Sequence, residues 1–173
     1  PNELGVRIIS LLLNIGTLLL LEKLIARKND MLFYAIAFSL AVIQIGGILA
    51  VPDSPLIFFT ALFFWCYKKF IENSSWVNTV LLGIVAACLL YSKYHGVLIV
   101  FFVLISNLEL FTNYKTYIAG MMALACYVPH LIWQYNHDWV SFRYHLFESN
   151  VNPYKFSYTT EYIAGQLLLA GPI

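Results

Sequence analysis

Charge is what this chain has least of. Of its 173 residues, ten are Lys or Arg and nine are Asp or Glu, so 11% are charged against 61% hydrophobic and 17% aromatic. A soluble domain carries about twice that share of charge, which excludes an ordinary water-facing globular surface. Cysteine is scarce too: Cys66, Cys88 and Cys126 are odd in number and lie inside apolar runs. They read as small packing residues rather than a disulfide or metal set, and no CxxC or HExxH pattern exists. Alternation at period two is absent, which excludes a lipid-exposed β-barrel. No secretory signal peptide is visible. What remains is a series of apolar runs about 16 to 22 residues long, the length of membrane helices. The class is therefore all-α, a polytopic helical membrane protein.

Runs and breaks predict six spans and the start of a seventh: Gly5–Leu24, Met31–Val51, Pro55–Phe70, Val77–Lys93, Gly96–Leu110, Tyr117–Tyr135 and Tyr162 onward. The chain opens at Pro1 without Met and stops at Ile173, well short of a full seventh span. Residues 1–173 are thus expected to be one transmembrane region of a longer protein, with residues 136–158 forming an outer-face loop that holds an interfacial helix. Net charge of +1 says little, because placement matters more than the sum. Lys23, Arg27 and Lys28 follow the first span, Lys68 and Lys69 the third, and Lys115 the fifth. By the positive-inside rule these connections face the cytoplasm. Asp53, Lys93, His95, His137, Asp138, Arg143, His145 and Glu148 then gather at the opposite, extracytoplasmic face, although only the basic connections set the orientation. The polar turn Asn73–Ser75 lies on the cytoplasmic side.

"AVPDSPLIFF", residues 50–59, contains Asp53, the one charged residue between Met31 and Tyr67. Asp53 or Ser54 can cap the third span, with Pro55 at or near its first helical position. Ser54 would cap without bringing a full charge to an apolar boundary, so the carboxylate itself points to a functional role. In "LLYSKYHG", residues 89–96, Lys93 ends the fourth span against the charge bias and Gly96 breaks the helix. Two readings stay open for Lys93: a snorkelling side chain, or a cation for an anionic group such as a lipid phosphate. Tyr94 and His95 add hydrogen-bonding groups and interfacial rings beside it.

In "VPHLIWQYNHDWVSFRYH", residues 128–145, Pro129 is expected to kink the sixth span near its outer end. Trp133, Tyr135 and Trp139 form an aromatic belt. From Trp139 onward, Trp139, Phe142, Leu146 and Phe147 can share one helical face, with Ser141, Arg143, His145 and Glu148 largely elsewhere. That pattern describes an anchoring helix. Alternatively His137, Asp138, Arg143 and His145 hold a sugar, a phosphate or a metal, although His-x7-His with one carboxylate is a weak metal signature. His130 reads as a packing histidine. Glu3, Arg7 and Glu161, near the outer span ends, are expected to pair or to line the same cavity.

The ordered set "ELGVR", "PDSPLIFF", "SKYHG" and "PHLIWQYNHDWVSF" resembles the membrane glycosyltransferases of the protein-mannosyltransferase and aminoarabinose-transferase type (glycosyltransferase family 39-like), which have the GT-C fold. The resemblance covers essentially the whole chain. It implies transfer of a sugar from a polyprenyl-phosphate carrier to an extracytoplasmic lipid, glycan or protein acceptor at the plasma (inner) membrane. By motif, it implies Asp53 as a second acidic residue of the site and Lys93 as the partner of the carrier phosphate, with His137 and Asp138 in the family's Trp-rich loop. The family's principal acidic residue lies upstream of the "ELGVR" motif, so Asp53 is not expected to be the base, and this fragment alone is expected to be inactive. A base or orienting carboxylate for the acceptor hydroxyl and a positive charge for the departing phosphate suit the chemistry. No cofactor is required by these residues, and a divalent metal stays open. Nucleic acid is not an expected partner. A transporter or flippase for lipid-linked saccharides is the main alternative, but transporters concentrate ionisable groups near the bilayer midplane. A non-catalytic assembly subunit is a third reading.

Overall fold

The computed structural model describes residues 3–25, 30–39, 53–144, 147 and 155–170. Their regular secondary structure is all helical, with no strand among them. The helices are α1 (Glu3–Leu24), α2 (Asp30–Ser39), α3 (Asp53–Glu72), α4 (Trp76–Ser92), α5 (Gly96–Ser106), a 3-10 turn (Leu108–Thr112), α6 (Tyr114–Asn136), α7 (Val140–Arg143) and α8 (Phe156–Ala170).

Local chemistry explains most of the boundaries. Ser75 caps α4 by accepting a hydrogen bond from the Asn78 backbone N–H at 3.2 Å, satisfying one of the donors a helix start leaves unpaired. Asn113 does the same for α6, accepting from Lys115 N at 3.0 Å. The fifth element is shorter than its apolar run suggests. α5 ends at Ser106, where Asn107 turns out of the helix (φ −137, ψ 85) and its side-chain amide donates to the Tyr67 hydroxyl of α3 at 3.0 Å. A tertiary hydrogen bond thus outweighs local apolar continuity. α8 likewise begins at Phe156, ahead of the expected Tyr162. α6 runs on through Pro129 as one helix. The proline removes the N–H that would reach Ala125 O, and the neighbouring Cys126 carbonyl accepts the Tyr91 hydroxyl at 3.0 Å.

Contacts along the helices give their directions. Asp53 meets Lys93 while the Lys69 carbonyl meets Asn78, so α3 and α4 are antiparallel. Trp76 meets Tyr114, Gly83 faces Ala119, and Tyr91 meets Tyr127, so α4 and α6 are parallel. α4 is central, packed by α3, α5 and α6. Where it meets α6, Gly83 faces Ala119 and Met122, and the small residues Ala86, Ala119 and Ala123 are buried in the same core. A Cβ on Gly83 would lie 2.8 Å from the Ala119 carbonyl oxygen, so glycine is what lets the backbones approach, as membrane helix pairs require. Phe63, Phe70, Leu82 and Leu89 fill the core beside this seam.

The outward faces are apolar, with Leu12, Phe102, Met121 and Ile132 each more than half exposed. α3 and α6 are long and apolar enough to cross a membrane. At 1.5 Å per residue they measure about 30 and 35 Å, matching a hydrocarbon core of about 30 Å. α4 and α5 are apolar but shorter. Of the expected second span only its first part, α2, is described. Exposed Trp76, Tyr114 and Tyr117 stand at one end of this bundle and Tyr91, Trp133 and Tyr135 at the other, the paired girdles of a membrane protein. The chain has a membrane location.

Candidate functional site

The helix directions gather one set of side chains at one end. The start of α3, the end of α4, the start of α5 and the end of α6 all lie there. Asp53 is the first residue of α3, so its carboxylate sits where the helix dipole favours negative charge. Lys93 follows Ser92 with an extended backbone (φ −164, ψ 143) that ends α4. Its Nζ donates to Asp53 Oδ1 at 2.6 Å, and the two side chains are 31% and 50% exposed. Residues forty apart in sequence thus form a direct, charge-assisted contact.

Asp53, Ser54 and Pro55 are the first three described residues of α3, in the first turn, where the missing N–H of a proline is harmless. Ser54 is buried, whereas the Asp53 carboxylate turns to Lys93. One of the three N–H donors of Lys93 goes to Asp53, which leaves two for a further acceptor.

The turn after Lys93 is tight. Gly96 N donates to Lys93 O at 2.9 Å, and a Cβ on Gly96 would stand 2.6 Å from the Leu89 carbonyl oxygen. Glycine therefore lets α5 start hard against α4. Within the turn the Tyr94 and His95 rings lie 4.0 Å apart. His95 Nδ1 is buried and has no hydrogen-bond partner among the described residues.

The end of α6 carries the remaining candidates. His137 closes the helix, its Nδ1 2.8 Å from the Trp133 carbonyl and its ring stacked on Trp133. Asp138 and Trp139 both have φ 53, a left-handed conformation that Asp tolerates better than Trp. The Gln134 carbonyl holds this reversal by accepting from Trp139 N at 2.8 Å and His137 N at 3.2 Å. The Gln134 side chain donates to Ser141 Oγ at 2.8 Å, fastening α7 to α6. Trp139 and Phe142 are exposed and touch edge to face, and Arg143 is the last residue of α7. His145, Leu146 and Glu148 lie outside the described residues, as does the Glu3 side chain.

Sequence reasoning missed Gln134. Its signal was modest: an amide one turn after His130 near the end of an apolar run. It is 1% exposed, and its Nε2 lies 3.2 Å from His130 Nε2. His130 packs against Tyr91 and Tyr127, as expected of a packing histidine.

The opposite end holds the basic connections. Lys69 pairs with Glu72 at 3.3 Å. Lys115 reaches the Ser74 carbonyl and lies 5.1 Å from the Trp76 ring centroid. Acidic and basic candidates of the site are therefore separated from these lysines by the length of the bundle. Among the described residues no three His, Cys, Asp or Glu side chains converge.

A family model described as dolichyl-phosphate-mannose-protein mannosyltransferase matches residues 1–133. The matched stretch includes Asp53, Lys93, Tyr94 and His95 and ends at Trp133, before His137, Asp138, Arg143 and His145. No curated protein and no solved structure matches the chain.

Proposed function

The chain belongs to the dolichyl-phosphate-mannose-protein mannosyltransferase family, glycosyltransferases of the GT-C type, and from that premise we propose that it moves a sugar from a polyprenyl-phosphate-linked donor to an extracytoplasmic lipid, glycan or protein acceptor. In this reading residues 1–173 are the transmembrane region of a multi-pass protein of the plasma membrane, with six spans and the start of a seventh. The Lys69 and Lys115 end faces the cytoplasm, and the Asp53 end faces outward. The observation that carries the site is the contact between Asp53 and Lys93.

The chemistry follows from the charges. A sugar leaves its carrier as negative charge builds on a phosphate oxygen, and a preorganised cation at that oxygen lowers the barrier. Lys93 has two N–H donors left for this purpose, while Asp53 fixes its position. When phosphate shares the ammonium, the Asp53 carboxylate can orient an acceptor hydroxyl. Asp53 acts here as a positioning carboxylate, and proton removal belongs to another group. Tyr94, His95, His137, Asp138, Arg143 and His145 are the surrounding substrate-binding candidates, of which Tyr94 and His95 directly follow Lys93 and His95 Nδ1 has no partner among the described residues.

Transfer from a polyprenyl-phosphate sugar by the full-length protein in membranes tests this. Asp53→Asn and Lys93→Met should each lower transfer at least about a hundredfold, as for loss of a preorganised charge, with insertion unchanged. Normal transfer by both variants overturns the site. Movement of a labelled lipid-linked sugar across vesicles with no transfer product overturns the reaction.

A further inference from the structure

Gln134 is 1% exposed, although Trp133 and Tyr135 on either side of it are exposed. An amide is kept from water where the protein supplies its hydrogen bonds. Here only half of the group is supplied. Nε2 donates to Ser141 Oγ at 2.8 Å and lies 3.2 Å from His130 Nε2. The NH2 carries two hydrogens, so both contacts are bonds when His130 is neutral, with its hydrogen on Nδ1 and a lone pair on Nε2. Oε1 is buried with no partner among the described residues. A buried acceptor without a donor costs free energy that a methionine of similar shape would not. Packing alone therefore does not call for an amide at this position.

Three pieces of the chain meet at this side chain. His130 lies one turn earlier on α6, and its ring centroid is 5.6 Å from that of Tyr91, two residues before Lys93 at the end of α4. Ser141 belongs to α7, which ends at Arg143. Between them the Gln134 carbonyl accepts from His137 N at 3.2 Å and Trp139 N at 2.8 Å. Asp138 and Trp139 there have φ 53, and an indole in the left-handed region persists only where its surroundings over-determine it. The main chain of Gln134 fixes one side of the reversal and its side chain the other. The direction in which α7 leaves α6 depends on both, and with it the place of Asp138 and Arg143 relative to Lys93.

We propose that Gln134 is a positioning residue of the transferase site, holding the α6–α7 corner, with Asp138 and Arg143, in register with the end of α4 that presents Lys93. The inference rests on the transferase reading for the reaction it serves. Gln134 is buried and touches no substrate. It acts through the corner, whose binding groups move together when the corner turns, and a displacement of about 1 Å can cost a hundredfold.

Two variants of the full-length protein in lipid nanodiscs test this. Ser141→Ala removes the side-chain bond that fastens the corner and leaves Gln134 in place. Gln134→Met keeps the length and approximate volume of the side chain and removes both of its hydrogen bonds. Hydrogen–deuterium exchange over residues 135–143 should quicken about tenfold in each, with exchange in α4 unchanged. In transfer from a polyprenyl-phosphate sugar, KM should rise about tenfold with kcat little altered, because the corner carries binding groups. A rise for the donor assigns the corner to the donor, and one for the acceptor assigns it to the acceptor. The double variant should be no worse than Gln134→Met, since both substitutions remove the same bond. A variant that merely folds poorly lowers the amount of active enzyme, and so the apparent kcat, and leaves KM where it was. Unchanged exchange in Gln134→Met, or a loss confined to kcat, overturns the proposal. If both variants keep the wild-type KM while Asp53→Asn and Lys93→Met lose transfer, the transferase site stands and the role of the corner fails. If the wild type transfers no sugar, the transferase reading fails and this role falls with it.

Discussion

Replacing Gly96 by alanine should destabilise the protein, although alanine is the better helix former. The added Cβ would meet Leu89 O at 2.6 Å and Leu89 C at 3.0 Å. Both are backbone atoms, and Leu89 is fully buried, so no flexible side chain can swing away. Restoring ordinary van der Waals distance needs a shift of about 0.8 Å between α4 and α5, and overpacking of this kind costs about 1–3 kcal/mol. The gain in helix propensity is at most about 1 kcal/mol, so strain wins. Gly120→Ala is the control, because a Cβ there meets nothing within 4 Å and only the propensity gain remains. In thermal unfolding of the purified protein in nanodiscs, Gly96→Ala should melt several degrees lower, at about 2–4 °C per kcal/mol for a chain of this size. Gly120→Ala should melt at or above the wild type. A Gly96→Ala protein as stable as the wild type would refute the packing argument. The substitution also moves the turn that presents Lys93, so sugar transfer should fall with it, since misplacement of about 1 Å can cost a hundredfold in rate.

Two further predictions concern stability. A double-mutant cycle on Asp53→Asn and Lys93→Met should give a favourable coupling of about 0.2–1 kcal/mol, because the pair is partly solvent-exposed. A coupling near zero, measured by unfolding in nanodiscs, would mean that the two charges do not hold each other. Leu89→Ala, at a position with no exposed surface, should cost about 2–5 kcal/mol, against about 1 kcal/mol for removing the α4 cap with Ser75→Ala. The reverse order in the same assay would show that caps, not core packing, set the stability of α4.

Much of the helix pattern was legible from local chemistry. Apolar runs with Ser75, Gly96 and Asn113 at their edges mark α4, α5 and α6 to within a few residues, because capping and chain reversal are short-range effects. The end of α5 was not legible, since Asn107 leaves the helix for a hydroxyl on another element. Asp53 and Lys93 were each conspicuous as charges in apolar surroundings, and the positive-inside argument alone put them on one face. Gln134 was invisible as a structural residue, because its importance lies in the turn it holds and not in its own run.

By itself the sequence determined the class, the family and which polar groups stand out, because the bilayer's hydrophobicity and helix capping act on stretches of a few to about 20 residues. Only the tertiary structure decided which groups meet. The antiparallel run of α3 against α4 brings Asp53 to Lys93, and the parallel run of α6 along α4 brings Tyr91 against Tyr127 and His130. The close backbone approach at Gly83 and Gly96 depends on helices separated in the chain. Such contacts follow from helix direction and packing distance, which no local pattern of residues encodes.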